Sequence, residues 1–140
     1  MSGRFFLDTN IFVYSFDQNA AAKARRAMRL IREGVMTRKG VVSYQVVQEF
    51  FNVVLRRFQR PMSMAEAEQY LATIFGPMLS VHSSPALFAA AIQVNHKHRI
   101  SWYDSLIIAS AMEGECSVLF TEDLNHGQKF GSLQIQNPFL

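Results

Sequence analysis

The chain has little of several things. Its one cysteine, Cys116, leaves no partner for an intramolecular disulfide and too few thiolates for a cysteine-rich zinc site. A reducing cytoplasm is therefore the expected compartment. Charged residues make up only 18% of the 140, whereas 49% are hydrophobic, a balance that excludes disorder and supplies a core. No charged leader with a long apolar stretch stands at the start, and nowhere do about 18 apolar residues run together, so neither secretion nor a membrane span is expected. Repeats, linkers and low-complexity segments are also missing, and the length suits one domain over residues 1–140. The net charge of +3 and pI near 9.3 are weak pointers to a polyanionic partner.

What is present alternates. Apolar strand-like runs at residues 4–7, 41–43, 79–81, 118–120 and 133–135 are separated by stretches of helical period. Helices are expected over 20–33, ended at Gly34 or near Gly40, and from Tyr44 to the Arg56–Arg57 region. Others are expected over 63–75, stopped by Gly76-Pro77, and over 84–97 and 101–113. Ser63 and Glu66 are spaced as a capping box, and Ser84-Pro85 opens a helix where proline is tolerated. Residues 122–129 read as a polar turn, and 133–135 as a last edge strand. Such alternation predicts a three-layer α/β/α sandwich with a central, mainly parallel sheet.

Acids from four separate segments fall where such a fold opens. Asp8 ends the first apolar run, and Glu122 and Asp123 follow the strand at 118–120. Asp104 begins a helix, and Glu49 lies on the border of a helical apolar stripe whose polar side is marked by Gln45, Gln48 and Asn52. In a parallel sheet the strand C-termini share one edge, where ligands bind. Each acid has a plainer reading. Asp8 can cap a helix, Asp104 can complete an S-x-x-D box with Ser101, Asp123 can sit in a turn, and Glu49 can be solvated. Together they describe an oxygen-rich cup. Two carboxylates about 4 Å apart repel by about 4 kcal/mol at an effective dielectric near 20. Mg²⁺ or Mn²⁺, which favour oxygen ligands, would relieve that repulsion. Metal-assisted phosphodiester hydrolysis is the chemistry such a cup suits.

The segments Phe6-Leu7-Asp8-Thr9-Asn10, Ser43–Phe50, Trp102–Ala109 and Leu119–Leu124 together resemble the PIN-domain nucleases, and among them VapC-type toxins of toxin–antitoxin pairs. The resemblance implies a parallel sheet with the first strand central and a Mg²⁺- or Mn²⁺-binding pocket. By position it implies catalytic and metal-binding roles for Asp8, Glu49, Asp104 and Asp123. Thr9, Asn10, Thr121 and Glu122 would support them, with the division between Glu122 and Asp123 left open. It further implies RNA cleavage, a homodimer and inhibition by a small antitoxin.

Arg25, Arg29 and Arg32 share one helix face, flanked by Lys23 and Arg26, and Arg56 and Arg57 form a second basic group. Either is a solvated surface or a track for RNA phosphates. Phe16, Trp102 and Tyr103 either stack on unpaired bases or seal a core or a dimer interface. His126 reads as a turn residue, and no serine has the neighbours of a Ser–His–Asp triad. The competing function is a non-catalytic RNA- or protein-binding module on the same fold. A phosphoacceptor is disfavoured because no lysine follows Thr121 at the matching strand end.

Overall fold

The computed structural model describes residues 3–56 and 60–140. Arg57 lies outside the described residues.

Six strands form one sheet in the order β3-β2-β1-β4-β6-β5. These are β1 (Phe5–Leu7), β2 (Gly40–Ser43), β3 (Leu79–Val81), β4 (Val118–Phe120), β5 (Lys129–Phe130) and β6 (Leu133–Gln136). All neighbouring pairs are parallel except β5 with β6. The interior strands β1 and β2 are buried on both faces, which is why they read as continuous apolar runs. The helices are α1 (Thr9–Tyr14), α2 (Ala21–Thr37), α3 (Tyr44–Val54), α4 (Met64–Tyr70), α5 (Gly76–Met78), α6 (Pro85–His98) and α7 (Trp102–Glu113). α1 packs on α2 and α3, α2 lies against β2, and α7 rests on β2 and β4 with α6 beside it. The result is an α/β/α sandwich with β1 well inside the sheet, as expected.

Two boundaries differ from the sequence reading, and for a third, the end of α2, the structure takes the alternative near Gly40. Gly34 does not end α2. It is buried within the helix, at the point where α2 crosses β2: a Cβ on Gly40 would lie 2.6 Å from the Gly34 Cα. The two glycines make that crossing possible, and α2 ends instead at Arg38, in the left-handed conformation (φ 61°). Gly76-Pro77 does not stop the helix after α4 either. The chain widens into a π-helical turn (Leu71–Phe75), with the Gly76 N–H reaching the Leu71 carbonyl, and runs through α5 straight into β3. A prolyl residue lacks an N–H and crowds the turn before it, and the wider turn accommodates it. Finally, β6 is not an edge strand. The polar stretch expected to be all turn ends in β5, which folds back on β6 through Gly131 (φ 61°) and takes the edge.

The core gathers aromatic rings between the sheet and helices. Phe50 stacks on Tyr70 at 4.8 Å and meets Phe12 and Phe75 edge-on. Phe5, Phe12 and Phe50 are buried, whereas Phe51 and Phe120 are only half-buried. The Ser63–Glu66 capping box forms in both directions, at 3.1 and 3.0 Å. Cys116 is buried, and burial pushes its thiol up to about 12, so it stays protonated and unreactive. Among the described residues no helix is long and apolar enough to cross a membrane.

Candidate functional site

The site begins with strand register. β1 and β4 are adjacent and parallel, with Leu7 opposite Phe120, so the next residues, Asp8 and Thr121, emerge side by side. The Asp8 N–H donates to the Phe120 carbonyl at 3.1 Å, extending the ladder by one step. Asp8 then caps α1. One carboxylate oxygen accepts from the Thr9 N–H at 2.7 Å, and the other accepts from the Thr121 hydroxyl at 2.8 Å. The plain reading of Asp8 as a helix cap is therefore correct, and it does not exclude a functional one.

Asp8 is only 7% exposed. Burial pushes its carboxyl up to about 6, against the opposing effect of the Thr121 and Thr9 hydrogen bonds, and the charges of Asp123 and Glu49 raise it further. Asp123 is raised as well, first by partial shielding of its carboxyl and then by the charges of Asp104 and Glu122. The four acids are thus linked through space in a chain: Glu49 to Asp8, Asp8 to Asp123, Asp123 to Asp104.

Neighbouring polar groups orient the outer members. The Thr9 hydroxyl donates to Glu49 at 3.3 Å, and the Asn10 amide donates to Asp123 at 3.3 Å. Thr121 serves two acids, because its hydroxyl oxygen also accepts the Asp123 N–H at 3.1 Å. Glu49 and Asp123 are exposed and Asp104 is half-buried, so the group runs from a buried carboxylate to an open rim. Ser101 caps α7 by accepting the Asp104 N–H at 3.1 Å, which fixes the backbone of that acid.

Glu122 has a different fate from its neighbour. Its two oxygens accept from the Tyr14 hydroxyl at 2.6 Å and pair with Lys23 at 2.5 Å. These bonds hold its carboxyl below the usual range. Tyr14 and Lys23 are the partners that sequence reasoning missed. Lys23 was grouped with the basic face of α2, and nothing in the local pattern of Tyr14 marks it.

The remaining expected residues scatter. Arg25, Arg29, Arg32 and Arg56 are exposed, and Arg26 turns inward to donate to the Pro138 carbonyl at 3.3 Å. Arg32 lines an apolar groove of about 370 Å³ with Phe16, Met28, Met36 and Tyr70. A second cavity of about 460 Å³ lies beside Lys23, Arg26 and Phe139. Neither is lined by any of the four acids. Trp102 and Tyr103 are exposed immediately before Asp104. His126 is a turn residue whose Nδ1 accepts the Asn137 N–H at 3.0 Å. Gln45, expected on a polar face, is buried, with its amide nitrogen 3.5 Å from the Tyr103 carbonyl.

Among the described residues, no three His, Cys, Asp or Glu side chains stand close enough together to hold a metal ion as they are arranged. The donor chemistry nonetheless fits a hard cation. Every acid offers oxygen, and the buried amide oxygen of Asn10, beside Asp123, has no hydrogen-bond partner among the described residues.

Several solved structures share this architecture. A toxin–antitoxin complex from Klebsiella pneumoniae superposes with a TM-score of 0.68 at 14% identity, covering 95% of this chain and 96% of that one. FitAcB from Neisseria gonorrhoeae gives 0.61 at 18% identity over 96% of this chain and 98% of that one. FitAB bound to an IR36 DNA fragment gives 0.68 at 18% identity over 97% and 96%. At these identities the likeness is one of fold. No curated protein sequence matches the chain. Residues 5–129, which carry all four acids and every residue that orients them, match the PIN domain, and the chain belongs to that family.

Proposed function

We propose that this protein is a metal-dependent endoribonuclease and the toxin of a type II toxin–antitoxin pair, acting in the cytoplasm. The observation that supports the reading is the chain of coupled carboxylates around Asp8. A buried acid raised to about 6 and set among three others is costly to keep for packing alone. Asp8, Asp104, Asp123 and Glu49 would hold Mg²⁺ or Mn²⁺. When bound, such a cation supplies electrophilic activation of water and of the phosphodiester.

The chain's own residues do the orienting. Thr121 and Thr9 fix both oxygens of Asp8, and Thr121 and Asn10 fix Asp123 from its backbone and its carboxyl. Thr9 restrains the exposed Glu49. Arg25, Arg29, Arg32, Arg56 and Arg57 would meet RNA phosphates, and Trp102 and Tyr103 are available to stack on unpaired bases beside Asp104.

The structural neighbour from Klebsiella pneumoniae, a toxin–antitoxin complex, supports an antitoxin partner; that the antitoxin is small and the assembly a homodimer is what the family resemblance leads us to expect. The decisive experiment is RNA cleavage by the purified protein with Mg²⁺ or Mn²⁺, with EDTA, and by Asp8→Asn and Asp104→Asn. Activity that requires the metal and disappears in both folded variants is the expected result. RNA binding without turnover at any metal concentration would instead assign a non-catalytic module.

A further inference from the structure

Glu122 and Asp123 are consecutive, yet they are drawn to opposite ends of one short helix. Asp123 is bonded to Asn10, in the first turn of α1, and Glu122 is bonded to Tyr14, the last residue of α1. Four residues of helix separate those anchors, a rise of about 6 Å. The side chains of these two neighbours therefore diverge along α1, with Thr121 bonded to Asp8 as a third point.

The Glu122 end of this arrangement is built in depth. Lys23, in the first turn of α2, pairs with the Glu122 oxygen that Tyr14 leaves free. Its ammonium also lies 4.0 Å from the centre of the Tyr14 ring and 4.9 Å from that of Phe139. Phe139 meets Tyr14 edge-on at 5.3 Å. The pair is about 30% exposed on both sides, so water does not fully screen it. A lysine in the first turn of a helix opposes the helix dipole, and Ala20 at the N-cap makes no capping bond. The local helix thus gains nothing from Lys23, whereas Glu122 does.

We propose that Lys23 and Tyr14 are positioning residues that hold Glu122 out of the acidic cup, so that Asp123 alone of the two presents its carboxylate to Asp8 and Asp104. This rests on the nuclease reading above and assigns the acid that the sequence left open. Freed from Lys23, Glu122 would bring a second carboxylate beside Asp123. The cup would gain negative charge and lose a fixed geometry. A cation would then bind more tightly while the chemistry slowed, a combination that simple loosening of the fold does not produce.

The test measures Mn²⁺ binding by calorimetry and RNA cleavage in parallel, with circular dichroism to confirm folding. For Lys23→Met, Mn²⁺ should bind several-fold more tightly and kcat should fall about tenfold, with KM changed less than about twofold. Lys23→Arg should restore both, and Lys23→Met/Glu122→Gln should recover most of kcat because the released group is no longer a carboxylate. Tyr14→Phe, which keeps the ring against Phe139, should lower kcat in the same direction. An effect of Lys23→Met confined to KM, or unrelieved by Glu122→Gln, would mean that Lys23 contacts RNA directly and would overturn the proposal. A parent protein that neither binds Mn²⁺ nor cuts RNA would overturn the nuclease reading and this inference together. A parent that does both, with no coupling between Lys23 and Glu122, would overturn this inference alone.

Discussion

Replacing Asp8 by asparagine should make the metal-free protein more stable. In the native state the Asp8 carboxyl is raised from 3.8 to about 6, chiefly because its charged form is buried. The native protein therefore holds this proton more tightly than the unfolded chain does. By linkage, the stability associated with that proton is fully present below pH 3.8 and is lost as pH rises through about 6. The displacement corresponds to about 3 kcal/mol at neutral pH. Asparagine is nearly isosteric, and its oxygen can still accept from the Thr9 N–H while its amide donates to the Thr121 hydroxyl oxygen. The variant should then gain up to about 3 kcal/mol at pH 8, which for a chain of this size raises Tm by roughly 10 °C. Urea denaturation in EDTA, at several pH values between 3.5 and 8, measures the difference. The two proteins should converge toward the acid end, diverge as pH rises from 3.8 to about 6, and stay apart by a constant amount above that. A variant that is equally or less stable at pH 8 would refute the argument, since it would mean that the ionised carboxylate is adequately solvated or paired.

Other outcomes follow from the same geometry. Mn²⁺ affinity should weaken as pH falls through about 6, because Asp8 takes up a proton that competes with the cation, and calorimetry at pH 7.5 and 5 would detect a change of tenfold or so. Thr121→Val keeps the shape but removes the donor to Asp8 and the acceptor for the Asp123 N–H. It should cost about 1–3 kcal/mol and push the Asp8 carboxyl higher, as a carboxyl NMR titration would show. Gly40→Ala would place its methyl 2.6 Å from the Gly34 Cα, and chemical denaturation should show a loss of about 1–3 kcal/mol or more, without selective loss of site geometry. Ser63→Ala removes the cap of α4 and should cost about 1 kcal/mol in the same assay.

The four acids were visible in the sequence because each follows a strand or begins or borders a helix, and those positions are set by local pattern. That Asp8 and Asp123 leave the sheet at one edge also followed from a general rule, that parallel strands end together. What escaped was set by contacts between distant segments. The Gln45 side chain lies on what looks like the polar face of α3, and only the approach of α7, with the Tyr103 carbonyl, buries it. Gly34 looks like a helix stop until β2 brings Gly40 against it. The β5–β6 hairpin lacks the alternation of a strong strand, because Lys129–Phe130 is only two residues long. The partners of Glu122 come from two helices more than ninety residues earlier, and no local pattern in α1 or α2 points to it.

The pairing of β1 with β4 has a temporal meaning. Asp8 leaves the ribosome early, but its hydroxyl partner Thr121 lies 113 residues later. Whatever chemistry Asp8 performs must wait until β4 has been synthesised and has paired with β1. A copy that stops before β4 keeps the bonds that Thr9 makes to Asp8 and Glu49 but has neither Thr121 nor Asp123. Under the toxin function proposed above, the order of the strands keeps an unfinished copy from assembling the full acid set.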